Sequence, residues 1–262
     1  MTTPGRVSLE AVSIDDSGSV ATLTIGTGQR FNALGQHEWE ALERAAASLA
    51  DHETLGAVVI RGRGGVFCSG SDLREWEDAS ADAVSASFAA MEAALQAIED
   101  LPVPTVAVVE GFATGAGCQL ALACDLQLMN HSAKIGMPIA RLGLLVPATF
   151  ANRMSLRIGP ARTKDLLYGG RLLTAQQAHD IGLITTVVAD DEPDAALEEL
   201  LTRWDSLSAA SLRASKAAVD LGLHLVTHHA RDVPQGPASD PDEFAWRVNS
   251  FLHRHGHRHG PG

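Results

Sequence analysis

The sequence predicts an α/β protein. Short β-branched or apolar runs at residues 57–60, 105–109 and 126–129 read as strands, and small or helix-forming segments follow the first two. From Pro147 onward helical spacing takes over almost completely. The chain has 262 residues, 45% of them hydrophobic and 20% charged, enough to build one domain with a sizeable core.

Taken in order, residues 7–14 and 20–25 alternate like the two strands of a hairpin joined by the polar turn 15–19. Residues 36–49 set Trp39, Leu42, Ala46 and Leu49 at helical spacing. Residues 83–101 align Val84, Phe88, Met91, Leu95 and Ile98 on one helical face. That stripe reads as core or as the lining of an apolar pocket, and Pro102 and Pro104 end the helix. Further helices are expected at 148–157, 160–168, 174–180, 194–207 and 212–223, with Thr174 and Ser208 as N-caps. The segment 232–242, DVPQGPASDPD, reads as a linker, and residues 244–253 as a last amphipathic helix. The expected organisation is a core domain (1–200), a helical region (201–252) and a His-rich tail (253–262). The tail's alternating histidines suit adventitious metal capture, and a disordered tail is the simpler reading.

Two segments carry chemistry. Residues 111–119 read GFATGAGCQ and follow the strand at 105–109. Their small residues suit the first turn of a helix, where backbone N–H groups lack internal partners and the helix dipole adds positive charge. Gly115, Ala116 and Gly117 let an oxygen approach the main chain closely. Such a turn suits an anion, or a carbonyl becoming one. The same residues would also suit a tightly packed strand-to-helix junction. Residues 62–73, GRGGVFCSGSDL, repeat the arrangement after the strand at 57–60, with Ser69, Gly70 and Ser71 leading into a helical turn and Asp72 in that turn.

Together these segments resemble the signature segments of the crotonase superfamily, the enoyl-CoA hydratases and isomerases. The second continues the resemblance through Leu120, Ala121, Cys124 and Asp125. Asn32-Ala33-Leu34, Met137-Pro138, Leu142-Gly143-Leu144, Gly169-Gly170-Arg171, Ala175, Ala178 and Gly182-Leu183 extend it over roughly residues 7–216. The resemblance implies a superhelix of stacked ββα units with a C-terminal helical region, assembled as a homotrimer or a dimer of trimers. It implies an acyl-CoA thioester as substrate, or the same pantetheine arm on a carrier protein, and no cofactor beyond that CoA. The thioester oxygen would sit between the backbone N–H groups of Ser71 and Ala116, which stabilise an enolate. Ser69, Gly70, Asp72, Leu73, Thr114, Gly115 and Gly117 would line the same site, with Arg30, Asn32 and Ala33 on the CoA side.

The sequence departs from the family at its acids. Hydratases of this type use two glutamates to hold and deprotonate water. The aligned positions are Gln119 and Ile139, and no Asp or Glu occurs between Asp125 and Asp165. Glutamine orients water but accepts no proton at neutral pH, and isoleucine does neither. General acid–base groups contribute about 100- to 10,000-fold each, so two-glutamate hydration is not expected. Decarboxylation, thioester hydrolysis or isomerisation with other groups remain, as does a non-catalytic acyl-CoA-binding or assembly subunit. Glu75 is the candidate base near Ser71, with a solvated helix face as the alternative. Arg141, beside Leu142 and the position-139 wall, is a candidate for a substrate carboxylate or for a structural ion pair.

The remaining composition narrows the setting. A formal net charge of −12 argues against nucleic acid, which needs a basic face. Arg30, Arg61, Arg63 and Arg74 are local candidates for CoA phosphates. No apolar run reaches transmembrane length, no secretory signal opens the chain, and neither glycine-rich segment has dinucleotide-fingerprint or P-loop spacing. Three cysteines (Cys68, Cys118, Cys124) form no disulfide framework and fit a reducing cytoplasm. Cys68 and Cys118 flank the proposed site as buried packing residues, or as a nucleophile. No metal site is expected in the body of the chain.

Overall fold

The computed structural model describes residues 12–14, 19–232, 237–240 and 243–256. Strands β1 (Val12–Ile14) and β2 (Val20–Ile25) pair antiparallel, as the alternation predicts. Most of the turn between them, and residues 7–11 of the first predicted strand, lie outside the described residues. Helix α1 (Gln36–Ala50) buries Trp39, Leu42, Ala46 and Leu49, the four positions of the sequence pattern. Strand β3 (Ala57–Gly62) follows, then α2 (Ala81–Glu99), whose N-cap Ser80 accepts the N–H of Ala83.

Strands β4 (Thr105–Val109) and β5 (Phe112–Thr114) then lead into α3 (Ala116–Ala123). The segment 111–119 is thus part strand and part helix: Gly115, at φ 57°, is the N-cap. Strands β6 (Leu126–Asn130) and β7 (Lys134–Gly136) precede α4 (Ala148–Gly169). Gly159, at φ 76°, and Pro160 interrupt α4 where the sequence predicts the gap between two helices. The chain continues through β8 (Leu173–Thr174), α5 (Ala175–Asp180), β9 (Thr186–Val188), α6 (Pro193–Asp205), α7 (Ala209–Asp232) and α8 (Phe244–Gly256). The expected domain boundary at residue 200 falls inside α6.

One sheet runs β1-β2-β3-β4-β6-β9, parallel beyond the first pair; a second runs β5-β7-β8. Two isolated parallel bridges, Leu34 with Ser71 and Cys68 with Ala113, extend the second sheet toward the N-terminus. Four windings result, each a strand in the first sheet, an extended piece in the second, then a helix: β2, Leu34, α1; β3, Cys68 to Ser71, α2; β4, β5, α3; β6, β7, α4. This is the ββα superhelix that the resemblance implies.

Alternation along the first sheet decides its two faces. Ala107 and Val109 of β4 join the main core with Ile25, Ile60, Leu95 and Ile98. Val106 and Val108, with Val59, Leu128 and Val188, form a second cluster against Leu197, Leu200, Leu201 and Trp204 of α6. The α2 stripe is core, as one of its two predicted readings has it, with Phe88 stacked between Trp76 and Phe150 at centroid distances of 5.6 and 6.2 Å. Among the described residues, no helix is long and apolar enough to cross a membrane.

Candidate active site

The site lies where the second winding meets the third. Leu34 donates to Gly70 O at 2.8 Å and accepts from Asp72 N at 2.9 Å. In a parallel bridge the partner residue between those two points its own N–H to the far side, so the Ser71 N–H faces away from Leu34. The far side is where Cys68 pairs with Ala113, at the strand that feeds α3. Ala116 is the first residue of α3, so its N–H has no helical acceptor. Among the described residues neither the Ser71 N–H nor the Ala116 N–H donates a hydrogen bond.

Two glycines bring the segments this close. Gly70 sits at φ 101°, and a Cβ there would stand 2.7 Å from Thr114 O and 3.2 Å from Ala116 N. A Cβ on Gly117 would meet Cys68 O at 2.1 Å. The neighbouring predicted residues knit the junction. Thr114 Oγ1 donates to Ser69 O at 2.8 Å, Ser69 N donates to Phe31 O at 2.9 Å, and Gly115 N donates to Gly136 O at 2.9 Å. Leu73 packs half-buried on the core.

On the proposed CoA side, Arg30, Phe31 and Asn32 all take positive φ (49°, 53° and 55°), a costly run for residues with a Cβ. Asn32 holds it in place. Its Oδ1 accepts from Gly28 N at 2.8 Å, and its Nδ2 donates to Arg63 O at 2.9 Å and to Val66 O. The Asn32 side chain is therefore a buried brace rather than a ligand-facing group. Ala33 closes the turn by donating to Arg30 O at 3.2 Å. The Arg30 guanidinium pairs with the Asp72 carboxylate, and Arg61 pairs with Asp194 and Glu110 at 2.8 and 3.4 Å. Arg63 and Arg74 are exposed.

Glu75, the base candidate, caps a helix instead: it accepts the N–H of Gln36, the first residue of α1, at 2.9 Å. Gly35 before it has no side chain to cap with. Arg141 is exposed, Leu142 is half-buried, and Ile139 faces the same apolar cluster as Ala116. Cys68 and Cys118 are fully buried, which pushes both thiols up to about 12 and disfavours the thiolate that a nucleophile needs. No metal-binding group of His, Cys, Asp or Glu occurs among the described residues.

The sequence reading missed what surrounds Gln119. This side chain is fully buried, and its Oε1 accepts from Arg153 Nη1 at 3.0 Å. Arg153 of α4 also donates from Nε and Nη2 to Glu99 at 2.6 and 3.1 Å, and from Nη2 to Glu92 Oε1 at 3.2 Å. Both acids belong to α2. Burial raises the pKa of Glu92, and Glu99 adds repulsion; Arg153 and the nearby Thr149 hydroxyl oppose the shift. Glu92 and Glu99, seven residues apart in the mainly apolar second half of this helix, were the available sequence signal. The second motif's last residue is structural: Asp125 Oδ2 accepts from Thr105 N, Thr105 Oγ1 and Lys216 Nζ at 2.8, 3.0 and 3.0 Å, tying β4 to α7.

Comparison with known proteins agrees with this architecture. The family model for enoyl-CoA hydratase/isomerase matches residues 15–239. A probable enoyl-CoA hydratase of Mycobacterium bovis is 33% identical over 212 residues, covering 80% of this chain and 81% of that protein. The mitochondrial methylglutaconyl-CoA hydratase of Rattus norvegicus is 29% identical, over 80% of this chain and 69% of its own. The crystal structure of an enoyl-CoA hydratase/isomerase from Xanthobacter autotrophicus superposes with a TM-score of 0.78 at 26% identity, covering 91% of each chain. Its windings, its junction of Gly70 with α3 and these likenesses together make this chain a member of the enoyl-CoA hydratase/isomerase family, within the crotonase superfamily.

Proposed function

We propose that the protein binds an acyl-CoA thioester with its carbonyl oxygen between the N–H groups of Ser71 and Ala116. Those groups stabilise the negative charge that develops there, and the chemistry does not use a glutamate pair. One observation carries the reading: two N–H groups without a partner among the described residues lie on either side of Gly70, while the resemblance aligns Gln119 and Ile139 with the family's two acids. Each donor aimed at a developing oxyanion is worth about 3–4 kcal/mol of transition-state stabilisation. Ile139 accepts no proton, and the Gln119 oxygen is occupied by Arg153. The relatives' names supply the acyl-CoA class, and Arg63 and Arg74, both exposed, are candidates to meet its phosphates or those of a carrier's pantetheine arm.

Self-assembly into a homotrimer or dimer of trimers belongs to the same proposal, as does a cytoplasmic setting. Among the described apolar residues of α7 none is buried, and Val219 and Leu221 are 63% and 75% exposed. A long helix so placed suits burial against another copy. The test is a panel of acyl-CoA substrates followed by chromatography for free CoA, loss of CO2 or a shifted double bond. Turnover to any of these supports the proposal. Efficient crotonyl-CoA hydration by the unaltered protein would overturn its non-hydratase part. Tight calorimetric binding without turnover would favour the binding-subunit reading, which the locked Gln119 amide also supports.

A further inference from the structure

The Arg153 network leaves two polar atoms unmatched. Gln119 Nε2, a donor, and Glu92 Oε2, an acceptor, are both buried, and no hydrogen bond reaches either among the described residues. The Thr149 hydroxyl approaches Glu92 without closing a bond of ordinary geometry. The other oxygens of the two side chains lie on the terminal nitrogens of one guanidinium, Gln119 Oε1 on Nη1 and Glu92 Oε1 on Nη2. One planar group thus holds them as neighbours, yet their free atoms do not bond each other. A buried donor and acceptor left in this state each carry a desolvation penalty that a bridging water removes.

Position on α3 links this niche to the reaction site. Gln119 stands one turn beyond Ala116, and helical side chains lean back toward the N-terminus of their helix. The amide therefore lies over the turn that carries the Ala116 N–H. On its other side, Glu92 is not sealed. Its side chain retains 23% of its accessible surface and, with Glu99, Thr149, Asn152 and Arg153, borders a groove of about 1080 Å³ between α2, α4 and α7.

We propose that Gln119 Nε2 and Glu92 Oε2 hold one water, and that Glu92 takes a proton from this water as its oxygen attacks the thioester carbonyl. The proposal rests on the reading of Ser71 and Ala116 given above, and it selects thioester hydrolysis among the reactions open to that site. A C–O bond forms, and the carbonyl π electrons move onto the oxygen held by the two N–H groups. When the carbonyl re-forms, the C–S bond breaks and the thiolate leaves with the electron pair. Protonated Glu92 returns the proton to the thiolate directly or through groove solvent. Water and acyl-CoA give a carboxylic acid and free CoA, with no oxidant or further reactant.

The electrostatics suit the task. The charged groups facing Glu92 are Arg153 from α4 and Glu99 from α2 itself; α3 contributes only the neutral Gln119. Glu99 takes two of the Arg153 N–H groups, so Glu92 shares a charge already largely matched. Burial above all, with the negative Glu99 beside it, makes the Glu92 carboxylate a stronger base than an exposed glutamate.

Two measurements test this. A high-resolution crystal structure should show an ordered water within hydrogen-bond reach of both atoms, and Gln119→Met should empty the niche. Thiol release from acetyl-, malonyl-, crotonyl- and 3-hydroxybutyryl-CoA should fall about 100-fold or more in kcat for Glu92→Gln with KM little changed. The acid limb of the wild-type pH profile should vanish in that variant. A dry niche, a direct Gln119–Glu92 bond, or a Glu92→Gln enzyme with wild-type rate and pH profile would overturn the proposal. Acyl-CoA binding without thiol release would also overturn it while leaving the binding site intact, and absence of binding would instead remove the site reading itself.

Discussion

Arg153 Nη1 donates to Gln119 Oε1 at 3.0 Å, with both residues inside the protein. This contact fixes the amide at the position that the resemblance aligns with a hydratase's acid. It also leaves room for charge, because a glutamate placed there would meet a guanidinium. The double variant Gln119→Glu, Ile139→Glu should therefore fold and should introduce crotonyl-CoA hydration. The gain should fall at the low end of the 100- to 10,000-fold range for such groups, since Arg153 holds the new carboxylate in its charged, weakly basic form. Absorbance of crotonyl-CoA follows the reaction. A folded double variant that binds substrate yet hydrates no faster than wild type would show that residues 119 and 139 do not face the reacting carbons.

Gly70→Ala tests the pair of N–H groups. The new Cβ would stand 2.7 Å from Thr114 O and 3.2 Å from Ala116 N, at a φ of 101° that side chains rarely adopt. Something must move, and what moves is the spacing between Ser71 and Ala116. Loss of one donor predicts a fall in kcat of about 100- to 1000-fold. Gly64→Ala is the control. Gly64 has φ 72°, and a Cβ there meets nothing nearer than 3.8 Å, so it should cost about 1–2 kcal/mol in urea denaturation and leave turnover alone. Equal effects of both changes on turnover would remove the Ser71–Ala116 cradle from the mechanism.

The two glycine-rich junctions were legible in the sequence because each sets a β-branched run directly against small residues, and Gln119 and Ile139 because motif residues bracket them. Strands β5, β7, β8 and β9 were not, since two or three residues carry no usable periodicity. The Arg153 network was hidden for another reason. Its partners Glu92 and Gln119 lie 61 and 34 residues away, and only the winding of α2, α3 and α4 around one another brings them together. The capping contact of Glu75 was hidden in the same way: its partner Gln36 is 39 residues distant.

Glu75→Ala should remove a cap, not a base. Gly35 offers no side-chain acceptor, so the start of α1 relies on Glu75 for the Gln36 N–H, and the helix dipole favours the carboxylate there. The expected loss is about 1 kcal/mol of stability in urea denaturation, with kcat unchanged. A variant of wild-type stability but reduced kcat would return Glu75 to the chemistry.

Glu92→Gln makes an opposing pair of predictions about stability and activity. Burial and Glu99 raise the Glu92 pKa, so the folded state binds its proton more tightly than the unfolded chain does. The stability tied to that proton is fully present below the ordinary glutamate value and is lost as pH rises through the raised one. Glutamine stays neutral throughout. The urea midpoint of Glu92→Gln relative to wild type should therefore climb across that window and level off above it, leaving the variant at least as stable as wild type at neutral pH. Coupled to the loss of thiol release, such a gain marks a side chain kept for work at a cost in stability. A relative midpoint that instead falls with rising pH would mean that attraction to Arg153 outweighs burial, and that Glu92 is a structural ion-pair partner.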